Sequence, residues 1–211
     1  MLEVKNLECI RGDRSLFSGL GFDLHAGELM HLQGHNGSGK TSLLRTLCGL
    51  IAPNQGEIHW NGKNIRRQRD EFAAELLYLG HLDGIKVDLT AVENLRFLCR
   101  LAGLPVAENE FWQALQSVGL SGHEDLPVRV LSQGQKRRVS LARLLLSKAP
   151  LWLLDEPFTA LDKAAVTMLQ TVIRQHVDEG GLVIITTHQD VSLTSENIRQ
   201  LRLGWKEDGD V

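Results

Sequence analysis

The stretch Gly34-His35-Asn36-Gly37-Ser38-Gly39-Lys40-Thr41 fits G-x-x-x-x-G-K-[ST] at every fixed position. Glycines let a chain close into a concave loop whose N–H groups point inward, and a helix starting at its end adds unsatisfied donors and a partial positive charge. That arrangement holds the phosphates of a nucleotide, with Lys40 reaching the terminal phosphates and the Thr41 hydroxyl facing magnesium. The motif carries this meaning only between a strand and a helix. Both are on hand, in the apolar run Leu29-Met30-His31-Leu32 and the helix-like run from Ser42 to Leu47. A purine nucleoside triphosphate is the expected ligand, against the plainer alternative of a Gly-rich turn at a helix start.

A second group of reactive residues lies far downstream. Leu151-Trp152-Leu153-Leu154-Asp155-Glu156 is an apolar run ending in two acids. Buried parallel strands read as continuous apolar runs, and ligands of α/β sheets gather at their carboxyl ends. An acid there can hold magnesium opposite the phosphate loop, the role expected of Asp155. Glu156, pointing elsewhere from the strand end, can accept a proton from an attacking water. A further apolar strand, Leu182 to Ile185, leads through Thr186-Thr187 to His188, an imidazole on the same ligand side.

The elements that must position these groups are legible in part. Residues 2 to 10 and about 16 to 25 alternate apolar and polar, as antiparallel strands with one buried face do. Gly56 to Trp60 followed by Asn61-Gly62 reads as a strand entering a hairpin turn, in one lobe with the phosphate loop. From Thr90 onward helical spacing takes over. Thr90-Ala91-Val92-Glu93 is a capping box for a helix over 91–102, a second helix follows near 107–118, and a third begins after Ser132. A last helix is expected over about 163–177. The expected architecture is one α/β domain over 1–211, a P-loop fold with a mixed sheet core, an antiparallel β subregion and a helical subdomain inserted at about 85–145.

Composition excludes several classes. The 211 residues are 43% apolar, ordinary for a single-core α/β domain, and no run is long enough to span a bilayer. The formal charge of −3, from 23 basic and 26 acidic residues, gives no pull toward nucleic acid, and the basic run Lys63 to Arg69 reads as a solvated face. Cys9, Cys48 and Cys99 form no C-x-x-C pair and read as reduced thiols, and the eight histidines lack zinc-site spacing. The start Met1-Leu2-Glu3-Val4-Lys5 has no secretory pattern, so a cytoplasmic location is expected.

Leu131-Ser132-Gln133-Gly134-Gln135, just ahead of the apolar strand, resembles the LSGGQ segment of the ATP-binding cassette (ABC) ATPases. The order of parts agrees over residues 1 to 204: phosphate loop, LSGGQ-like segment, Asp155-Glu156, the loop Ala160-Leu161-Asp162, then His188. The resemblance implies that Gly34 to Thr41 with Ser42 hold ATP and magnesium, that Asp155 supports the metal, that Glu156 is the general base and that His188 contacts the terminal phosphate. It implies that Ser132 and Gly134 serve the nucleotide of a second copy in a head-to-tail homodimer, with Asp162 communicating across the joint. Ser132 also caps the third helix, and a capped helix start is itself a phosphate-binding device.

Three positions depart from the family pattern. Arg11 stands near the adenine-stacking aromatic, where its guanidinium or Phe17 could substitute. His81 replaces the glutamine that links the metal site to the transporter partner, and Gln133 adds a side chain ahead of Gly134. Tyr78-Leu79-Gly80-His81, the run Leu89 to Leu95 and Thr187-His188-Gln189 are similar to the small ATP-binding subunits of the cytochrome c maturation system, often called the haem exporter. That likeness implies a peripheral subunit on the cytoplasmic face of the inner membrane, an integral membrane permease subunit as partner, and haem-carrier proteins reached through the complex. The alternatives are an ABC ATPase energising export of another substrate, or one acting on nucleic acid or ribosomes. The latter generally carry two cassettes or long inserted arms, unlike this chain.

Overall fold

Two sheets share one core in the computed structural model, which describes residues 1–188 and 198–204. Gln189 lies outside the described residues. Strands β1 (Leu2–Arg11), β2 (Arg14–Leu24), β4 (Gln55–Trp60) and β5 (Lys63–Asn64) form an antiparallel sheet in the order β2-β1-β4-β5. A bulge at Asn6, with φ 48, breaks the β1–β4 register. Gly56 accommodates it: a Cβ there would meet the Lys5 and Asn6 carbonyl oxygens at 2.4 Å.

Strands β3 (Leu29–Gln33), β6 (Leu76–Leu79), β7 (Leu151–Asp155), β8 (Leu182–Thr186) and β9 (Ile198–Arg202) form a separate, parallel sheet in the order β6-β7-β8-β3-β9. The mixed core expected from sequence is thus two sheets, each of one sense. Every residue of β7 and β8 is buried, because both faces are covered. Leu151, Leu153, Leu182 and Ile184 pack with helix α1 (Lys40–Leu47) and the antiparallel sheet. Their neighbours Trp152, Leu154, Val183 and Ile185 pack with helix α6 (Lys163–Asp178). The two-residue strand period therefore divides one apolar run between two cores.

A third apolar cluster belongs to α3 (Ala91–Leu101), α4 (Glu108–Ser117) and α5 (Gln133–Leu146), with Leu95, Leu115 and Val139 at its centre. Both expected capping boxes form. Thr90 Oγ1 accepts from Glu93 N at 3.2 Å while Thr90 N donates to Glu93 Oε2 at 2.8 Å, and Ser132 and Gln135 do the same at 3.2 and 2.8 Å. The sequence pattern predicts no element over 69–79, where the structure has α2 (Arg69–Ala74) and β6. Phe72 of α2 packs on Trp60, with ring centroids 6.1 Å apart. Lys63, Arg66, Arg67 and Arg69 are exposed, so the basic run is a solvated face.

Between β6 and α3 the chain runs past the site as a loop, and Asn94 holds it. This fully buried side chain accepts from Lys86 N at 2.7 Å and donates to the carbonyls of Lys86 and Thr90, each at 2.9 Å. An apolar replacement leaves those backbone groups without their partner. Asn94→Ala is expected to lower unfolding stability by about 2–3 kcal/mol in urea titration, whereas Thr90→Ala, which loses a cap only, costs about 1 kcal/mol.

Candidate active site

The phosphate loop joins the end of β3 to the first turn of α1, and its close contacts require glycine. A Cβ on Gly34 would lie 2.6 Å from the Leu203 carbonyl, and Gly39, which precedes α1, adopts φ 101. Lys40 is 9% exposed and folds back over the loop, donating to the carbonyls of Gly34 at 2.7 Å and His35 at 3.2 Å. Burial lowers its pKa from the ordinary lysine range, while the Glu156 and Asp155 carboxylates act to raise it. An arriving phosphate would relieve that burial penalty, since it adds negative charge beside the ammonium.

Asp155 ends β7 with 2% of its surface exposed and both oxygens engaged. Thr41 Oγ1 donates to Oδ2 and Thr186 Oγ1 to Oδ1, each at 2.9 Å. Glu156 turns out of the strand with φ 50, a left-handed conformation that costs a non-glycine residue of order 1–3 kcal/mol. Its N–H donates to Thr186 Oγ1 at 2.9 Å and to the Thr186 carbonyl at 3.2 Å. One threonine hydroxyl thus fixes both acids. The sequence pattern ends this strand at Ile185 and assigns Thr186 no role; the structure extends β8 through Thr186, and its position opposite Asp155 follows from the β7–β8 register.

His188 follows β8 and closes the site. Its N–H donates to Glu156 Oε2 at 3.2 Å, and its Nε2 lies 3.3 Å from Lys40 Nζ and 3.6 Å from Glu156 Oε1. Glu156 Oε1 is buried without a hydrogen-bond partner, as is Ser38 Oγ in the loop. Lys40, Thr41, Asp155, Glu156 and His188 border an open cleft of about 650 Å³, together with Asn36, Gly37, Gly39, Ser42, Thr159 and His81, whereas Gly34, His35 and Ser38 of the loop do not line it. Arg11 and Leu16 line the same cleft, so the expected adenine-stacking position faces it through a guanidinium.

Ser132, Gly134 and Asp162 do not line this cleft. Ser132 is exposed at the start of α5, and its hydroxyl, which accepts the capping N–H, keeps its own proton to donate. A Cβ on Gly134 would stand 3.1 Å from the Ala160 carbonyl, which brings the LSGGQ-like segment against the loop ahead of α6. Asp162 caps α6 by accepting from Ala165 N at 2.9 Å and pairs with Arg138 at 2.5 Å. The Ala165 N–H, with Arg138 beside it, holds the Asp162 carboxyl below its ordinary pKa.

The donors at the cleft floor suit a hard divalent cation: a hydroxyl from Thr41, a carboxylate from Asp155 and an unpartnered carboxylate oxygen of Glu156 nearby. His81 is exposed on the cleft lining. An imidazole nitrogen is a poor donor for magnesium, so the arrangement favours the oxygen ligands over the metal role expected for His81.

Comparison with known proteins agrees with this geometry. A family model described as ABC transporter matches residues 17–159. The cytochrome c biogenesis ATP-binding export protein CcmA of Dechloromonas aromatica is 56% identical over 204 residues, covering 97% of this chain and 100% of the relative. Its counterpart in Nitrosomonas europaea is 54% identical, covering 96% and 95%. Among solved structures, an ABC transporter ATP-binding protein from Pyrococcus furiosus superposes with a TM-score of 0.82 at 28% identity, covering 96% of both chains. A dimeric ATP-binding cassette in a post-hydrolysis state, bound to ADP and Pi, has the same fold at a TM-score of 0.83 and 21% identity, covering 97% of both chains. The chain belongs to the ABC transporter ATP-binding family and, within it, to the cytochrome c biogenesis ATP-binding export proteins.

Proposed function

We propose that this chain is the ATP-hydrolysing subunit of a membrane ABC complex that handles haem during c-type cytochrome biogenesis. The observation that carries the reading is the meeting of Lys40, Thr41, Asp155, Glu156 and His188 around one cleft. These residues come from three separate stretches of the chain, and together they form the parts list of phosphoryl transfer to water.

Loop N–H groups and Lys40 bind the phosphates, and the buried ammonium gains a partner for its charge when they arrive. Glu156 accepts the proton of the attacking water through its unpartnered oxygen, and His188, beside both Lys40 and Glu156, contacts the terminal phosphate. Thr41 and Asp155 would hold magnesium, which when bound supplies charge neutralisation on the transferring group. Arg11 would stack on adenine through its guanidinium.

Ser132 and Gly134 would complete the site of a second copy. Their absence from the cleft lining supports a head-to-tail homodimer with two ATP molecules between the copies. Asp162, pinned to α5 through Arg138, would report across the joint. The whole chain would act as one ATPase unit, with the helical part at about 85–145 carrying the LSGGQ-like segment. Among the described residues no helix is long and apolar enough to cross a membrane. Attachment to the cytoplasmic face of the inner membrane would therefore come through an integral permease subunit, with haem-carrier proteins engaged by the assembled complex.

Glu156→Gln is expected to lose ATP turnover by roughly a hundredfold or more and to accumulate an ATP-bound dimer in size-exclusion chromatography. Lys40→Ala should instead weaken ATP binding itself by at least about tenfold in equilibrium titration. Thr186→Val removes the hydroxyl shared by the two acids, and its kcat is expected to fall by about tenfold or more while Thr186→Ser stays near the parent. Purification from membranes with the co-expressed permease should recover haem in the complex. A complex free of haem under haem-replete growth would contradict the assigned cargo.

A further inference from the structure

Arg137 is the fifth residue after the α5 cap, in the run Lys136-Arg137-Arg138. In the structure its side chain is only 5% exposed. Its guanidinium reaches two other parts of the chain. On one side it donates to Asp83 Oδ1 at 3.0 Å and to the Gly80 carbonyl at 3.4 Å, bracketing His81. On the other it donates to the carbonyls of Asp155 at 3.4 Å, Glu156 at 2.8 Å and Pro157 at 3.4 Å.

The second set is unusual in its demand. At the end of β7 the chain leaves its ladder, so three successive carbonyls lie outside it; that of Glu156, a residue held at φ 50, also accepts from Thr159 N at 3.3 Å, and the guanidinium reaches all three. A planar fork of five donors can serve several carbonyls at once, which an ammonium or an amide cannot do in full. Burying this cation is costly, and among the described residues one carboxylate, that of Asp83, pairs with it. Core packing alone does not call for an arginine here.

We infer that Arg137 is the positioning residue for Glu156: it fixes the turn that aims the carboxylate and ties that turn to the His81 loop and to the helix that starts at Ser132. The inference rests on the proposed role of Glu156 as the base. Arg137 meets the cleft-lining residues only at the backbone carbonyls of Asp155 and Glu156 and touches none of their carboxylates, so its loss acts on turnover and spares binding. Movement of the Ser132 helix against a partner copy would reach Glu156 through this guanidinium, five residues from the cap.

The test uses the full chain with ATP and magnesium, comparing Arg137→Gln, Arg137→Lys and Glu156→Gln with the parent in steady-state turnover and in ATP-binding titrations, each rate normalised to the folded fraction from thermal melting. For Arg137→Gln, kcat is expected to fall by about tenfold or more with KM and ATP affinity within about twofold, and Arg137→Lys to recover part of kcat. A kcat per folded molecule within twofold of the parent overturns the inference, as does an equal loss of ATP affinity. Parental turnover by Glu156→Gln would instead remove the base assignment on which the inference rests. A silent Arg137→Gln beside an inactive Glu156→Gln overturns this inference alone.

Discussion

Where β7 ends, the chain must change from a fully buried strand to a turn that aims an acid into the cleft, and Glu156 makes that change in a left-handed conformation. The strain there is held by parts that come from elsewhere: the Thr186 hydroxyl on the neighbouring strand, the Thr41 hydroxyl at the start of α1, and the Arg137 guanidinium from α5. Each of these pins either Asp155 or Glu156 at hydrogen-bond distance. The parallel ladder between β7 and β8 is the precondition, because only that register sets Asp155 against Thr186.

The two cores follow from the same ladder. Strands buried on both faces need cover on both, and α1 with the antiparallel sheet supplies one side while α6 supplies the other. The helix that carries Lys40 and Thr41 is therefore anchored by Leu43, Leu44 and Leu47 against the strands that carry the acids. The loop proposed to bind the phosphates and the acid proposed to bind the metal are thereby held against one core. The helical cluster around Leu95, Leu115 and Val139 has its own apolar centre. It meets the strand end through polar contacts, with Arg137 among the carbonyls and Arg138 on Asp162.

Much of the site was legible because its chemistry is local. The phosphate loop, the acids closing an apolar run, and the caps at Thr90 and Ser132 each show within a few residues, and the structure forms them where spacing predicts. What escaped depends on pairing between distant segments. Thr186 looks like any β-branched strand residue until the register puts it opposite Asp155. Arg137 carries no local signal, since its partners lie at residues 80–83 and 155–157. Strand β6 and helix α2 are short, at four and six residues, so neither repeats a period often enough to stand out. His81 was assigned by analogy with a glutamine, and its place on the cleft lining does not make a nitrogen a good ligand for a hard cation.

In the head-to-tail homodimer proposed for this chain, each ATP site takes its phosphate loop from one copy and Ser132 with Gly134 from another. Mixing Lys40→Ala chains with Ser132→Arg chains tests it directly, since neither alone can build a whole site while a mixed head-to-tail dimer contains one intact site. Two preparations inactive on their own are expected to recover ATP turnover on mixing, up to about a quarter of the parental rate when half the dimers are mixed. Turnover of the mixture no greater than the sum of its parts would contradict a shared site.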